Sequence, residues 1–450
     1  MKVVIIGGGE VGFHVAKALS EEDYDITVID IDPQKCRRAS ESLDVIVVEG
    51  NGASPQTLIE ANVGDANYVL CLTRVDEVNL IASQQAHELG AGKIIARLRN
   101  QQYTAKNSII RPEKFGVDIV IHPEKAAADE IMRLVHHPFS VQAMDFEAGK
   151  LKMLGININK SSEKILDISI AKICSKNNDF RFAVIAVLRG QETIIPGADF
   201  EFEIGDTAYF VIKSNNIENL MNLLGRKITK VNRVMIVGGS KIGRALAKGL
   251  QKDNINVRLV DYNRPKAGHI AHQIEDAMVI YGDGTDIEFL RSENIQDVDS
   301  FIAVTENEKT NLISGLLANH LGAKQSIIHV VTTEFIPTIQ EIGAGAVISK
   351  NLSTVNAVLS QLHSDKTETP IATFDEIDVD VLEFQPDLGS PITKKPIKDL
   401  NIPENSIIGM INHHGQIKIA HGESMISDDD TALVFAKASA ISKVKKLFMI

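Results

Sequence analysis

The sequence predicts an α/β protein. Two doubly wound parallel-sheet domains are each followed by a small β-rich α+β domain, in the order N-C-N-C. Three observations predict this. One half of the chain repeats in the other. Within each repeat, short aliphatic runs alternate with segments of helical period. Downstream of each lie short alternating apolar runs broken by Gly, Pro and Asp, the pattern of a small antiparallel module.

The repeat is explicit. KVVIIGGGEVGFHVAKAL (2–19) returns as RVMIVGGSKIGRALAKGL (233–250), a spacing of 231 that also carries Asp30 onto Asp261. VVEGNGAS (47–54) matches VIYGDGTD (279–286), and LCLTRVDEVNLIAS (70–83) matches IAVTENEKTNLISG (302–315). Thr73 thereby faces Thr305, Asn79 faces Asn311, and Arg97 faces His329. A weaker repeat relates residues 184–212 to 407–436, with domain boundaries expected near 138–150, 225–232 and 363–372.

The first unit justifies the sheet element by element. Val3–Ile6 is an aliphatic strand ended by three glycines, and a helix runs from Val11 to the acidic Glu21–Asp23. Ile26–Ile29 is the next strand, after which Asp32-Pro33 reads as an N-cap followed by Pro at the first helical position. Val45–Val48 is a third strand, and Ser54-Pro55 repeats the cap signal. Tyr68–Leu72, Lys93–Ala96 and Asp118–Ile121 complete about six strands.

Composition bounds the rest. A chain of 450 residues suggests three or four domains at about 100–150 residues each. It is 44% apolar and 24% charged and lacks Trp, so aliphatic side chains fill its cores, as buried parallel sheets require. A net charge of −12 argues against nucleic acid or bare anionic lipid as main partner. Three dispersed cysteines make neither a disulfide framework nor a zinc site. Lys2–Ile6 runs directly into glycines rather than into a signal peptide, and no run approaches the roughly 20 apolar residues of a bilayer span. The expectation is a soluble chain with no direct bilayer insertion, whose membrane work goes through a partner.

The chemistry lies at strand ends. Gly7-Gly8-Gly9-Glu10-Val11-Gly12 is a GxGxxG turn between a strand and a helix. Gly7 permits the tight turn, Gly9 lets a diphosphate approach the backbone, and Gly12 lets helix pack on strand, the Rossmann pattern. The alternative is a plain tight turn. Asp30 closes the second strand, where a ribose-binding acid belongs. Its carboxylate accepts from ribose hydroxyls and repels a 2′-phosphate, which favours NAD(H) over NADP(H) but does not separate NAD(H) from ATP or ADP.

In the second copy Gly238, Gly239, Gly243 and Asp261 persist while Ser240 replaces the middle glycine, so binding is expected with altered affinity or nucleotide choice. The alternative there is an empty pocket. Thr73 and Thr305 follow their strands at the crevice, either to bond ribose or phosphate or to cap the next helix. Arg97 ends a strand and is either a bidentate phosphate clamp or a solvated arginine; His329 is a weaker clamp at the matching position. Asn51 and Asp283 sit in Gly-flanked turns beside the pockets, where a turn role alone accounts for them. His136-His137 reads as a boundary turn, His413-His414 as a hairpin loop without metal, and Cys71 as core.

Downstream modules of about 80 residues repeat no His-Asp or Lys-Tyr pair, so binding without turnover is expected. VIIGGGEVG, ITVID, VVEGNGAS, DEVNLIAS, IIARLR and FIAVTENEKTNLIS resemble the signatures of the TrkA family over essentially the whole chain. These are the regulatory, NAD-binding subunits of Trk-type potassium uptake systems, built from regulator-of-conductance (RCK) domains.

The resemblance implies RCK N-terminal domains at 1–138 and 229–363 and C-terminal domains at 139–228 and 368–450. It implies a first NAD(H) site lined by Gly7 to Val11 (Gly8 and Glu10 included), Asp30, Thr73, Arg74 and Arg97. A second is lined by Gly238 to Ile242 (Lys241 included), Asp261 and Thr305. It further implies a non-catalytic homotetramer on the cytoplasmic face of a potassium-translocating membrane subunit. The competing expectations are an NAD-dependent oxidoreductase and a regulator of a potassium/proton antiporter.

Overall fold

The aliphatic runs fold as their pattern dictates. The computed structural model describes residues 1–20, 24–105, 107–177, 180–190, 192–226, 230–274, 277–363, 370–374 and 377–449. Glu21–Asp23, expected to end the first helix, lie outside the described residues, as do 227–229 and 364–369, where two expected boundaries fall.

The first repeat comprises β1 (Lys2–Ile6), α1 (Glu10–Ser20), β2 (Asp25–Asp30), α2 (Pro33–Ser42), β3 (Ile46–Glu49), α3 (Pro55–Glu60), β4 (Tyr68–Cys71), α4 (Asp76–Glu88), β5 (Lys93–Arg97), β6 (Ile119–Ile121) and α5 (Pro123–His136). Its strands pair in parallel in the order β3-β2-β1-β4-β5-β6. The order reverses between β1 and β4, which opens a crevice at the carboxyl ends of those strands. Local chemistry fixes the joints. Asp32 caps α2 by accepting the Gln34 N–H with Pro33 in the first turn, whereas Ser54 stands at the cap of α3 without a side-chain bond.

A small antiparallel module follows: β7 (Gln142–Phe146), β8 (Leu151–Asn157), α6 (Ile170–Lys176), β9 (Phe182–Arg189), β10 (Glu192–Ile194), β11 (Thr207–Lys213) and α7 (Ile217–Leu223), in the order β10-β9-β11-β8-β7. The second large repeat comprises β12 (Arg233–Val237), α8 (Lys241–Lys252), β13 (Asn256–Asp261), α9 (Arg264–Ala271), β14 (Met278–Tyr281), α10 (Ile287–Ser292), β15 (Ser300–Ala303), α11 (Glu308–His320), β16 (Ser326–Val330), α12 (Ile336–Glu341), β17 (Ala346–Ser349) and α13 (Lys350–His363). Its sheet order, β14-β13-β12-β15-β16-β17, reproduces the first. The last module holds β18 (Pro370–Phe374), β19 (Val379–Phe384), β20 (Ser406–His413), β21 (Gln416–Ile419), β22 (Asp430–Ala436) and α14 (Ala438–Phe448). Its order, β18-β19-β22-β20-β21, matches that of the first module strand for strand. The fold class is as the sequence predicts.

The chain divides into two compact units, the first made of Met1–Ala127 together with Ser349–Leu362. Helix α13, last of the second repeat by sequence, therefore packs on the first sheet. Val355, Val358, Leu359 and Leu362 are buried in one cluster with Val3, Ile5, Val15 and Leu19. Each such aliphatic side chain contributes about 1.5–3 kcal/mol. In the other unit the two antiparallel modules share a core, where Phe146 meets Phe435 edge to face at 6.3 Å.

His137 follows α5 and packs against Phe139, with ring centroids 5.8 Å apart. Burial, with Lys152 beside it, pushes its imidazole down to about 4, against a partial opposing effect of Asp145. The unfolded chain takes up that proton near the ordinary value of about 6.5. Stability is therefore full above that pH and falls as pH drops through the window down to 4. Between pH 7 and pH 5 the loss expected from this group is about 2 kcal/mol. Urea unfolding at the two pH values checks it: His137→Gln should shrink the difference between them by that amount.

Candidate functional site

The strand ends of the first sheet build one cleft of about 350 Å³. Gly7 ends β1 in a left-handed turn (φ 110°), a conformation that glycine adopts without strain. A side chain at Gly12 would meet the Gly7 carbonyl oxygen at 1.8 Å, so α1 can start against β1 only with glycine there. Beside Gly9 nothing lies within 4 Å of where a side chain would begin. That open space faces the cleft, which Gly7, Gly9, Glu10 and Val11 line. Gly8 and Gly12 stand outside the lining and shape the corner from behind.

Asp30 is buried at the end of β2. Its Oδ2 accepts the Gly8 N–H at 2.7 Å and its Oδ1 accepts the Asp32 N–H at 2.9 Å. The carboxylate thus ties the glycine turn to the second crossover and retains lone pairs toward the cleft. The Lys35 ammonium stands 3.5 Å from Oδ1.

Across the switch point, Thr73 and Arg74 follow β4 and Arg97 ends β5, all lining the cleft. Thr73 is not the helix cap: α4 begins at Asp76 with Val75 in the cap position. The Thr73 hydroxyl instead donates to Asn79 Oδ1 at 2.6 Å. Asn79 is fully buried and uses both ends of its amide. Oδ1 also accepts the Thr73 N–H at 3.0 Å, while Nδ2 donates to the Thr73 carbonyl at 3.1 Å and to the Arg97 carbonyl at 2.7 Å. One side chain thereby holds the ends of β4 and β5 in register. Asp76 fixes the exit of β5 by accepting the Arg99 and Asn100 N–H groups.

Arg97 is 6% exposed, which removes the solvated alternative. Its Nε is buried and meets no hydrogen-bond acceptor among the described residues. Burial first, then the neighbouring Arg99 and Arg74, push the guanidinium below its ordinary value, with Glu124 opposing. A buried cation with an unused N–H calls for an anion. Asn51 lines the cleft while its Oδ1 makes the expected turn bond to the Ala53 N–H. Cys71 is core: burial pushes its thiol up to about 12, which excludes a thiolate nucleophile.

The second copy repeats the scaffold and changes residues that correspond to the first cleft's lining. Gly238 takes the same left-handed turn (φ 111°), and a side chain at Gly243 would meet the Gly238 carbonyl at 2.0 Å. Asp261 accepts the Gly239 and Asn263 N–H groups at 2.8 and 2.9 Å, and Lys266 lies 2.9 Å from Oδ2. Asn311 joins Thr305 to the His329 carbonyl as Asn79 does in the first copy. Ser240 caps α8 by accepting the Gly243 N–H at 3.2 Å, and Lys241 and Ile242 open that helix. Asp283 makes a turn, accepting from the Thr285 N–H and hydroxyl. Glu306 stands where the first copy has Arg74, and buried His329 where it has Arg97.

Sequence reasoning missed Lys35, Val78 and Asn351, which also line the first cleft. Lys35 had a usable signal, since Lys266 follows Asp261 at the same spacing along the sequence as Lys35 follows Asp30. Asn351 had none, standing on α13 in the other repeat. Among the described residues no group of three metal-ligating side chains occurs, and no helix is long and apolar enough to cross a membrane. His413 Nδ1 lies 2.6 Å from Asp430 Oδ1, the place where Arg189 pairs with Asp206 in the first module.

The fold and its two glycine corners define a duplicated Rossmann-type protein with paired β-rich modules. The TrkA-N domain family matches residues 3–123 and again 234–350, and the TrkA-C domain family matches 381–449. The chain belongs to the TrkA family. It is 34% identical over 460 residues to a Trk system potassium uptake protein TrkA homolog (homolog 2) of Methanosarcina mazei, covering 100% of both chains. To the Trk system potassium uptake protein TrkA of Halomonas elongata it is 28% identical, covering 100% of this chain and 99% of that one. Among solved structures, the GsuK RCK domain superposes with a TM-score of 0.57 at 16% identity, covering 99% of this chain and 94% of that one. The GsuK channel bound to NAD gives the same TM-score and identity, over 99% and 78%. These two likenesses carry the fold.

Proposed function

We propose that the chain is a nucleotide-sensing regulatory subunit that binds NAD(H), with ADP or ATP as competing ligands, and gates a Trk-type potassium-translocating membrane subunit without catalysing a reaction. It works as a homotetramer at the cytoplasmic face of the membrane, through that partner. One observation carries the ligand class: a ribose-type acid, Asp30, and a buried guanidinium with an unused N–H, Arg97, line the same cleft as the open glycine corner. The donors suit a nucleoside diphosphate. Asp30 accepts from ribose hydroxyls, the amides around Gly9 meet the first phosphate, and Arg97 with Arg74 meets the negative charge beyond it.

The family supports the potassium partner, since relatives across the whole length are named as Trk potassium uptake proteins. The GsuK channel structure with NAD supports the nucleotide. In chain order we assign domains at 1–138, 139–228, 229–363 and 368–450, although α13 at the end of the third packs on the first sheet. The second site, with Gly238 to Gly243, Asp261, Asp283 and Thr305, binds with a different preference. It has lost the cations of Arg74 and Arg97.

Calorimetric titration with NAD, NADH, ATP and ADP tests the assignment. Asp30→Ala is expected to weaken NAD(H) at the first site by about 100-fold, the value of two bonds to a charged acceptor. Asp261→Ala should affect only the second site. If neither substitution weakens any of the four ligands, the assignment fails. Steady NADH absorbance through these titrations is expected, because binding proceeds without turnover.

A further inference from the structure

We propose that Asn351, supplied by the second repeat, is a ligand-contacting residue of the first cleft that donates to the distal phosphate of the bound nucleotide. The inference rests on the nucleotide reading of that cleft and adds a residue that neither the glycine motif nor the repeat points to.

The placement follows from the sheet. Asp30 ends β2, the glycine corner follows β1, Arg74 follows β4 and Arg97 ends β5, so a nucleotide anchored by its ribose at β2 extends toward β5. Helix α13 begins on that far side. Its first residue, Lys350, lies 3.9 Å from Glu124, which stands in the first turn of α5 after β6. Its second residue, Asn351, is half-buried and lines the cleft together with Arg97.

The chemistry at this end is cationic and incomplete. Arg97 is 6% exposed, and its Nε is buried with no acceptor among the described residues. A distal phosphate supplies that acceptor and leaves further oxygens to be met. Asn351 can meet one with its side-chain N–H, and its backbone N–H belongs to the first helical turn, whose amides lack intrahelical acceptors. Among the described residues Asn351 is the cleft contact that α13 provides, so occupancy of the first cleft bears on that helix through it.

The test uses the full chain and titrates AMP, ADP and NAD into wild type, Asn351→Asp, Asn351→Ala and Asp30→Ala. Aspartate keeps the size of the side chain and suits a first helical turn, so the fold is retained, and an unchanged thermal midpoint checks this. Asn351→Asp is expected to weaken ADP and NAD by about tenfold or more, and AMP by less than about threefold. Asn351→Ala should follow the same pattern with a smaller loss. Equal weakening of all three ligands, weakening of NAD alone, or no change beside a clear Asp30→Ala effect would each overturn the proposal. If Asp30→Ala leaves every ligand unchanged, the underlying nucleotide reading fails instead.

Discussion

Gly12→Ala is expected to unfold the first Rossmann unit, while Gly9→Ala, three residues earlier, leaves the fold intact and removes nucleotide binding. The two glycines look alike in the motif and differ in what surrounds them. A methyl at Gly12 would sit 1.8 Å from the Gly7 carbonyl oxygen, a backbone atom that cannot turn aside. Relief requires α1 to lift from β1, which disturbs the buried contacts of Val11, Val15 and Leu19. Overpacking typically costs about 1–3 kcal/mol and more where the obstacle is backbone, as here, a large share of the roughly 5–15 kcal/mol that holds a domain together. Gly243→Ala meets the same obstacle at 2.0 Å in the second unit. A methyl at Gly9 touches nothing, yet it occupies the space through which a diphosphate reaches the helix amides. Thermal unfolding with calorimetry separates the cases. Gly9→Ala should keep the wild-type midpoint and lose about 100-fold in NAD(H) affinity.

Arg97→Met is expected to raise stability and lower affinity together. Methionine fills a similar volume without a charge, and replacing a buried, imperfectly paired ion by an apolar side chain is worth about 1–3 kcal/mol. The same change deletes the charge-assisted donor to the phosphates, which should cost about 100-fold in binding of ADP or NAD(H). Chemical denaturation should show a higher midpoint, and titration a weaker ligand. A variant that loses stability and keeps its affinity would make Arg97 a structural cation rather than a ligand group. His329, in the matching place, should show neither effect to the same degree.

Much of this was legible in the chain because local patterns determine it. Val3–Ile6 before three glycines, Asp30 at the end of the next aliphatic run and the recurrence of both at 231 residues require no tertiary knowledge. The second sheet follows from the repeat, as do β20, β21 and β22 of the second antiparallel module, whereas β18 and β19 lie outside the repeated segments. What escaped is what sequence period cannot carry. The apolar stripe of α13 shows that one face is buried, but not that it is buried on the first sheet, so Asn351 was invisible as a cleft residue. Arg97 could be seen at a strand end, but its burial and the nearness of the Glu124 carboxylate become apparent only in the folded unit. Asn79 and Asn311 stood out as a repeated pair, yet their four hydrogen bonds across two strand ends become apparent only when β4 and β5 are side by side. Thr73, read as either a ligand contact or a helix cap, does not cap α4 and is held by that asparagine.

The most direct measurement is a crystal of the full chain grown with NADH. Density is expected in the first cleft, with the adenosine ribose hydroxyls on Asp30, the diphosphate beside the Gly9 amide and an oxygen within hydrogen-bond distance of Arg97 Nε. A saturated crystal in which that cleft holds only solvent, or in which the nucleotide lies elsewhere on the chain, would contradict it.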